Sequence, residues 1–104
     1  MAKATIQPTC GLVTNVTATQ EDPLRVTLHI ESECKGVRRL AEELSDVDPY
    51  AEIAVRGANS TILALGLEHC VHASCPVPVG ILKAMEVAAG LDLPKPITIE
   101  ISDY

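Results

Sequence analysis

The spacing of apolar residues changes abruptly near the middle of this sequence. Across residues 24–31, Val26, Leu28 and Ile30 alternate with polar residues, which is typical of a strand with one buried face. Across residues 35–45, apolar residues recur at intervals of three and four, which indicates an amphipathic helix. A strand that leads directly into such a helix favours an α+β fold.

The rest of the chain extends this pattern. Short strands are expected at 3–7, at 12–18 with Leu12, Val16 and Ala18 on one face, and at 97–101, with a loop at 20–23. Helices are expected at 58–68 and 76–89, and residues 50–57 form either a short strand or irregular chain. The sequence thus predicts one α+β domain over 1–104, a mainly antiparallel four- or five-stranded sheet with helices packed on one face. The predicted core comprises Val26, Leu28, Ile30, Val37, Leu40, Leu44, Ile81, Leu82, Met85, Ile97 and Ile99.

Composition excludes several classes of function. The chain has a net charge of −6 and no Phe or Trp, so it offers neither a basic surface nor an aromatic platform for nucleic acid. No apolar run approaches the ~20 residues of a membrane span, and the first residues lack the apolar core of a signal peptide. We therefore expect a cytoplasmic protein that binds neither nucleic acid nor membrane. A homodimer paired through an aliphatic edge is a further expectation, and the protein partner is unknown.

Four cysteines are expected to meet at one edge of the sheet. Cys10 follows the first strand, Cys34 follows the third, and Cys75 begins the last helix. If the last strand runs parallel to the third, the helix before it starts at the edge that carries Cys10 and Cys34. Cys70 precedes Cys75 by five residues and must lie near it. In a reducing compartment such a set favours metal binding or thiol chemistry over disulfides.

The leading prediction is a metal site of four thiolates, Cys10, Cys34, Cys70 and Cys75, with His72 as a further candidate ligand. Zinc and an iron–sulfur cluster both accept four cysteines. Cys75 lies at a helix start, where free N–H groups and the helix dipole favour an anion. His69 shares this segment, whereas no Ser-His-Asp or paired-carboxylate set is recognisable, so enzymatic activity stays open. The alternatives are thiol or persulfide chemistry through Cys75, and a structural or protein-interaction domain without metal.

Two resemblances accompany these patterns. The run Cys75-Pro76-Val77-Pro78 resembles the Cys-Pro-x-Pro motif of TusA-like sulfur carriers, which implies a persulfide on Cys75. The whole chain resembles a family of small prokaryotic proteins of unknown function. That second resemblance rests on Cys10-Gly11, residues 31–34, residues 72–78 and residues 86–94.

Overall fold

The computed structural model describes residues 1–103 of the chain. Strands and helices follow one another in the order β1 (Ala2–Ile6), β2 (Thr14–Asp22), β3 (Arg25–Ser32), α1 (Lys35–Glu42), β4 (Asp46–Val47), α2 (Pro49–Ile53), α3 (Thr61–His69) and α4 (Val77–Ala88). A short 3₁₀ segment, Ala54–Gly57, joins α2 to the chain before α3.

The four strands form one antiparallel sheet in the order β1-β2-β3-β4. Alternate residues of β2 and β3 are buried, so a single face of the sheet carries the core. On that face α4 packs against β1 and β2, α1 packs against β3, and α3 contacts both of these helices. The predicted α+β class and antiparallel sheet are confirmed.

The core is built from aliphatic side chains, as the two periodicities predicted. Seven of the predicted core residues are buried: Val26, Leu28, Val37, Leu40, Leu44, Ile81 and Met85. Ile30 and Leu82 are partly buried and pack against this cluster. Helix boundaries agree to within about three residues, with Ser60 capping α3 through a hydrogen bond from the Leu63 N–H (3.1 Å). Gly90 ends α4 with φ of +75°, in the left-handed region that favours glycine.

The largest correction concerns the predicted last strand. Residues 97–101 pair with no strand, and Ile97, Ile99 and Ile101 are 52%, 73% and 84% exposed. The prediction of a strand at 97–101 and of a buried Ile97 and Ile99 is therefore wrong. Alternation by two encodes the preference for an extended backbone, but a strand also needs an edge that pairs with it.

The second strand also differs from its prediction. It runs from Thr14 to Asp22, so residues 20–22 of the segment expected to be a loop belong to the strand, and Pro23 lies in the turn that follows. A bulge between Gln20 and Asp22 lets it reach the tight turn before β3. Leu12 precedes the strand and is 37% exposed, so its predicted place on the buried face is wrong. Thr14 takes that place and shares a 2.8 Å hydrogen bond with Ser32 Oγ.

The chain after α1 contains the two shortest elements, and residues 50–57, expected to form a short strand or irregular chain, belong to α2 and the 3₁₀ segment instead. Asp46 and Val47 form β4, in which Val47 pairs with Val26 and is buried. Residues 49–53 form α2, which begins where Asp48 accepts a hydrogen bond from the Tyr50 N–H (3.0 Å). Neither element is long enough to show a period in the sequence.

Candidate thiol site

The register of the sheet defines the edge at which the cysteines were predicted to lie. Ile6 pairs with Thr14, and Thr14 pairs with Ser32, so the turn after β1 and the chain after β3 leave the sheet together. Helix α4 begins there as well, because a Cβ atom on Gly80 would lie 2.5 Å from the side chain of Ile6. The sequence argument placed Cys75 at this edge by assuming a last strand parallel to β3. Residues 97–101 form no such strand, but the contact between Gly80 and Ile6 places the start of α4 at the same edge.

Cys34 is the residue at which α1 begins. Its backbone is extended, its N–H donates to Ser32 Oγ (3.1 Å), and its carbonyl accepts from the Arg38 N–H (3.0 Å). The thiol makes no capping hydrogen bond with the helix and is partly buried. The backbone N–H and carbonyl of Cys34 are thus both hydrogen-bonded, whereas its sulfur forms no capping bond with the helix.

Cys70 is the residue at which α3 ends, and glycine brings it close to α1. Its N–H donates to the Gly66 carbonyl (3.0 Å). A Cβ atom on Gly36 would lie 2.4 Å from the His69 carbonyl oxygen and 3.6 Å from the Cys70 Cα. Helix α1 therefore contacts the end of α3 backbone to backbone, two residues after Cys34.

Cys75 lies one residue before the cap of α4. Its N–H donates to the His72 carbonyl (3.1 Å), which closes a turn between the two cysteines of this segment. A Cβ atom on Gly66 would lie only 2.4 Å from the Pro78 side chain, so α3 and α4 also meet at close range. This packing returns Cys75 to the neighbourhood of Cys70, close enough for its thiol to raise the pKa of the Cys70 thiol.

Three of the cysteines interact electrostatically. Burial, the charge of Cys75, the hydrogen bond with Cys75 and the charge of Cys34 together raise the pKa of the Cys70 thiol from 9.0 to about 11. All four cysteines are free thiols. The sulfurs of Cys34, Cys70 and Cys75 do not all lie within 4.8 Å of one another. The arrangement is thus a loose group of three thiols that disfavours more than one negative charge.

Cys10 and His72 lie at the margins of this group. Cys10 is exposed in the turn between β1 and β2, where the Gly11 N–H donates to the Pro8 carbonyl (3.0 Å). It is not among the groups that raise the pKa of Cys70. His72 is exposed in the turn between Cys70 and Cys75.

His69 belongs to a different group of side chains, which has no signature in the sequence. Its Nε2 atom contacts Glu43 Oε2 and lies 3.9 Å from Glu68 Oε1. Within residues 1–103, these three are the potential ligands whose donor atoms all lie within 4.8 Å of one another. Both carboxylates are more than half exposed, and a hydrogen bond between His69 of α3 and Glu43, the residue that follows α1, accounts for the contact without a metal.

Glu52, which no sequence pattern singled out, is only 3% exposed. Its carboxylate accepts hydrogen bonds from Ser60 Oγ (2.8 Å), from the Thr61 N–H (3.0 Å) and from the Ile62 N–H (2.9 Å). It therefore satisfies the free donors at the start of α3. A glutamate eight residues before the cap of a helix has no local capping signature, so the sequence offered no signal for this contact.

Comparison with known proteins gives a family. The model of a family of unknown function, DUF6951, matches residues 2–101. The chain belongs to this family. No curated protein and no solved structure matches at a significant level, and the likeness to TusA-like sulfur carriers is not shown. Membership of DUF6951 confirms the resemblance to a family of unknown function and leaves the role of the site to its chemistry. Within residues 1–103, no helix is long and apolar enough to cross a membrane.

Proposed function

We propose that this member of DUF6951 is a cytoplasmic metal-binding protein whose site is formed by Cys34, Cys70 and Cys75, with Cys10 as the fourth ligand. The observation that carries the proposal is the convergence of three thiols from the ends of three different helices. Four cysteines suit zinc or an iron–sulfur cluster, both of which are held by thiolates.

The electrostatics of Cys70 favour a cation at this place. Thiols must lose their protons to bind a metal, and each thiolate here opposes the ionisation of Cys70. A divalent ion between the sulfurs reverses that balance, because its charge stabilises all the thiolates at once. Metal binding should therefore release protons, and it should be weaker at low pH.

The geometry requires the sulfurs to move closer together when a metal binds. Sulfurs around tetrahedral zinc lie about 3.8 Å apart, given a Zn–S distance of ~2.3 Å. Cys34 and Cys70 are fixed by helix packing, since Gly36 lies against the end of α3. The segment 71–74 is exposed and so can adjust the position of Cys75. Binding of metal should therefore order this segment.

The fourth ligand comes from an exposed part of the same edge. Cys10 lies in a turn with Gly11 at φ of +80°, and no heavy atom lies within 4 Å of the place a Cβ would take on this glycine. This turn has room to bring the thiol towards the other three. His72, in the exposed segment between Cys70 and Cys75, is the substitute ligand if Cys10 remains outside.

The alternative chemical function is a sulfur carrier in which Cys75 alone bears a persulfide. Its place directly before α4 and beside the thiol of Cys70 supports this alternative. The two functions differ in how many cysteines are needed. A metal site depends on Cys34 and Cys70 as much as on Cys75, whereas a carrier depends on Cys75. A domain that only contacts a protein partner needs none of the thiols.

Metal content and absorption of protein purified without oxygen test the proposal. We expect one zinc or one brown iron–sulfur cluster per chain, and its loss in each of Cys34→Ser, Cys70→Ser and Cys75→Ser. His29→Ala is the control, because this histidine is exposed on the sheet and its side chain hydrogen-bonds with Glu31 (2.7 Å). A wild-type protein that neither contains metal nor takes up zinc would reject the metal site. Persulfide loading that only Cys75→Ser abolishes would then establish the carrier.

A further inference from the structure

The last described residues have the sequence pattern of a strand but no pairing partner. Ile97, Ile99 and Ile101 alternate with Thr98 and Glu100, and the isoleucines are mostly exposed. Within residues 1–103, the last backbone hydrogen bond along the chain joins the Lys95 N–H to the Leu93 carbonyl (2.8 Å). Three mostly exposed β-branched side chains therefore lie on a segment that forms no backbone hydrogen bond with the rest of residues 1–103.

The path into this segment is well defined. Gly90 turns the chain out of α4, and the Leu91 N–H donates to the Glu86 carbonyl (2.8 Å). Asp92 then forms an ion pair with Lys83 of α4, and this contact lowers the pKa of the carboxyl and raises that of the amine. Since Pro96 lacks an N–H and has a fixed φ, it is suited to the residue before a strand.

The sheet has a free edge of the same length. Strand β1 (Ala2–Ile6) pairs only with β2, so its other side offers unpaired backbone groups over five residues. Ala2, Ala4 and Ile6 face the helix layer, whereas Lys3 and Thr5 are exposed on the opposite face. An uncovered edge of this kind is a template for pairing with another strand.

Segment and edge are complementary when they run antiparallel. If Ile99 lies opposite Ala4, the three isoleucines continue the apolar face under the helices. The same register places Glu100 opposite Lys3 and Thr98 opposite Thr5. Opposite charges and paired threonines are both favourable cross-strand neighbours. A shift by one residue would turn the isoleucines to water, so the register is strongly specified.

We propose that residues 97–101 pair antiparallel with the free edge of β1 in a second copy of the chain. Two copies related by a twofold axis each donate the segment and each accept one, which closes the assembly as a homodimer. Each copy then extends its sheet by one strand and covers the three exposed isoleucines.

A second copy fits better than the chain's own β1. Helix α4 begins beside Ile6 and packs along β1 and β2, so the chain leaves α4 near the amino end of β1. A segment that returned to its own β1 would run parallel to it. In the parallel arrangement with Ile99 opposite Ala4, Lys3 faces Thr98 and the charge pair with Glu100 is lost.

The mass of the protein in solution, measured by sedimentation from micromolar to millimolar concentration, tests the assembly. We expect twice the chain mass of 11.1 kDa for the wild type and the mass of one chain for Ile99→Asp. Leu24→Asp, at a residue 61% exposed in the turn after β2, is the matched control and should remain dimeric. A monomeric wild type, or an Ile99→Asp protein as dimeric as the control, would overturn the proposal.

Charge reversal tests the register. Lys3→Glu and Glu100→Lys should each raise the dimer dissociation constant by about 2- to 30-fold for two symmetry-related pairs, and the double variant should restore it. Carbodiimide cross-linking of a mixture of ¹⁴N and ¹⁵N chains should join Lys3 and Glu100 in peptides of mixed isotope. Additive single effects, or cross-links only between peptides of one isotope, would contradict pairing between copies.

Discussion

At the scale of single residues, the environment of Cys70 combines burial with two neighbouring thiols. The raised pKa, about 11, means that the folded state holds the Cys70 proton more tightly than the unfolded chain, for which 9.0 is the reference. The stability that this proton contributes is complete below about pH 9 and is lost as the pH rises towards 11. At neutral pH the Cys70 side chain is therefore a protonated thiol.

This linkage predicts a stability difference that depends on pH. In metal-free, reduced protein, the free energy of unfolding of the wild type should fall relative to that of Cys70→Ser between pH 9 and 11. Urea unfolding of both proteins at several pH values measures the difference. Since the serine hydroxyl does not titrate in this range, a difference that stays constant with pH would contradict the raised pKa.

At the scale of secondary-structure elements, the sequence predicted those with a complete period. Strand β3 and helices α1, α3 and α4 each bury several residues at their characteristic spacing, and β1 alternates between exposed and buried or partly buried residues. Strand β4 and helix α2 are too short for a period and depend on tertiary contacts, such as the pairing of Val26 with Val47. The candidate site was predictable in part, because short turns and alternating directions indicate an edge. The close contact of Gly36 with α3, which places Cys70 beside Cys34, has no signature in the sequence.

The contact between α1 and α3 gives a prediction at this scale. In an exposed helix, Gly→Ala stabilises by about 1 kcal/mol. In Gly36→Ala the new Cβ would lie 2.4 Å from the His69 carbonyl oxygen, and backbone cannot yield as a flexible side chain does. We expect a loss of about 1–3 kcal/mol in the free energy of unfolding, together with weaker metal binding. Lys35→Ala, at the exposed neighbouring residue, should be close to neutral, and a stabilised Gly36→Ala would show that the helices are further apart.

The buried carboxylate of Glu52, at the start of α3, gives a second prediction at this scale. Glu52→Gln keeps the size of the side chain but replaces an acceptor-only carboxylate, which receives three hydrogen bonds. The cost should be about 1–3 kcal/mol, because buried N–H groups lose a charged acceptor. Glu42→Gln, at an exposed position of α1, should change the free energy of unfolding by less than about 0.5 kcal/mol. Equal effects of the two substitutions in chemical denaturation would contradict the capping role of Glu52.

At the scale of the whole molecule, stability depends on one aliphatic core between the sheet and the helices. Leu40 is fully buried in this core, whereas Ile99 is 73% exposed. Both belong to apolar patterns of equal clarity in the sequence. The difference between them comes from pairing, since the helix containing Leu40 has a sheet face to cover and the segment containing Ile99 has no partner within its chain.

Alanine substitutions at Leu40 and Ile99 should differ in their effect on the free energy of unfolding, because only Leu40 belongs to the core. Leu40→Ala should lower the free energy of unfolding by ~2–5 kcal/mol, through lost burial and the cavity that remains. Ile99→Ala should cost less than about 0.5 kcal/mol at a protein dilution where the chain is monomeric. Urea denaturation at low concentration measures both, and a large loss from Ile99→Ala under those conditions would place the segment in the chain's own core.

The spectrum of cobalt(II) added without oxygen to the metal-free protein tests the thiolate site most directly. Tetrahedral thiolate ligation gives intense visible bands and sulfur-to-cobalt charge transfer, whereas carboxylates and water give a pale octahedral spectrum. We expect saturation at one cobalt per chain, with both signals lost in Cys34→Ser, Cys70→Ser and Cys75→Ser and part of the charge transfer lost in Cys10→Ser. A pale spectrum that none of the four cysteine substitutions changes would contradict metal binding by these thiols.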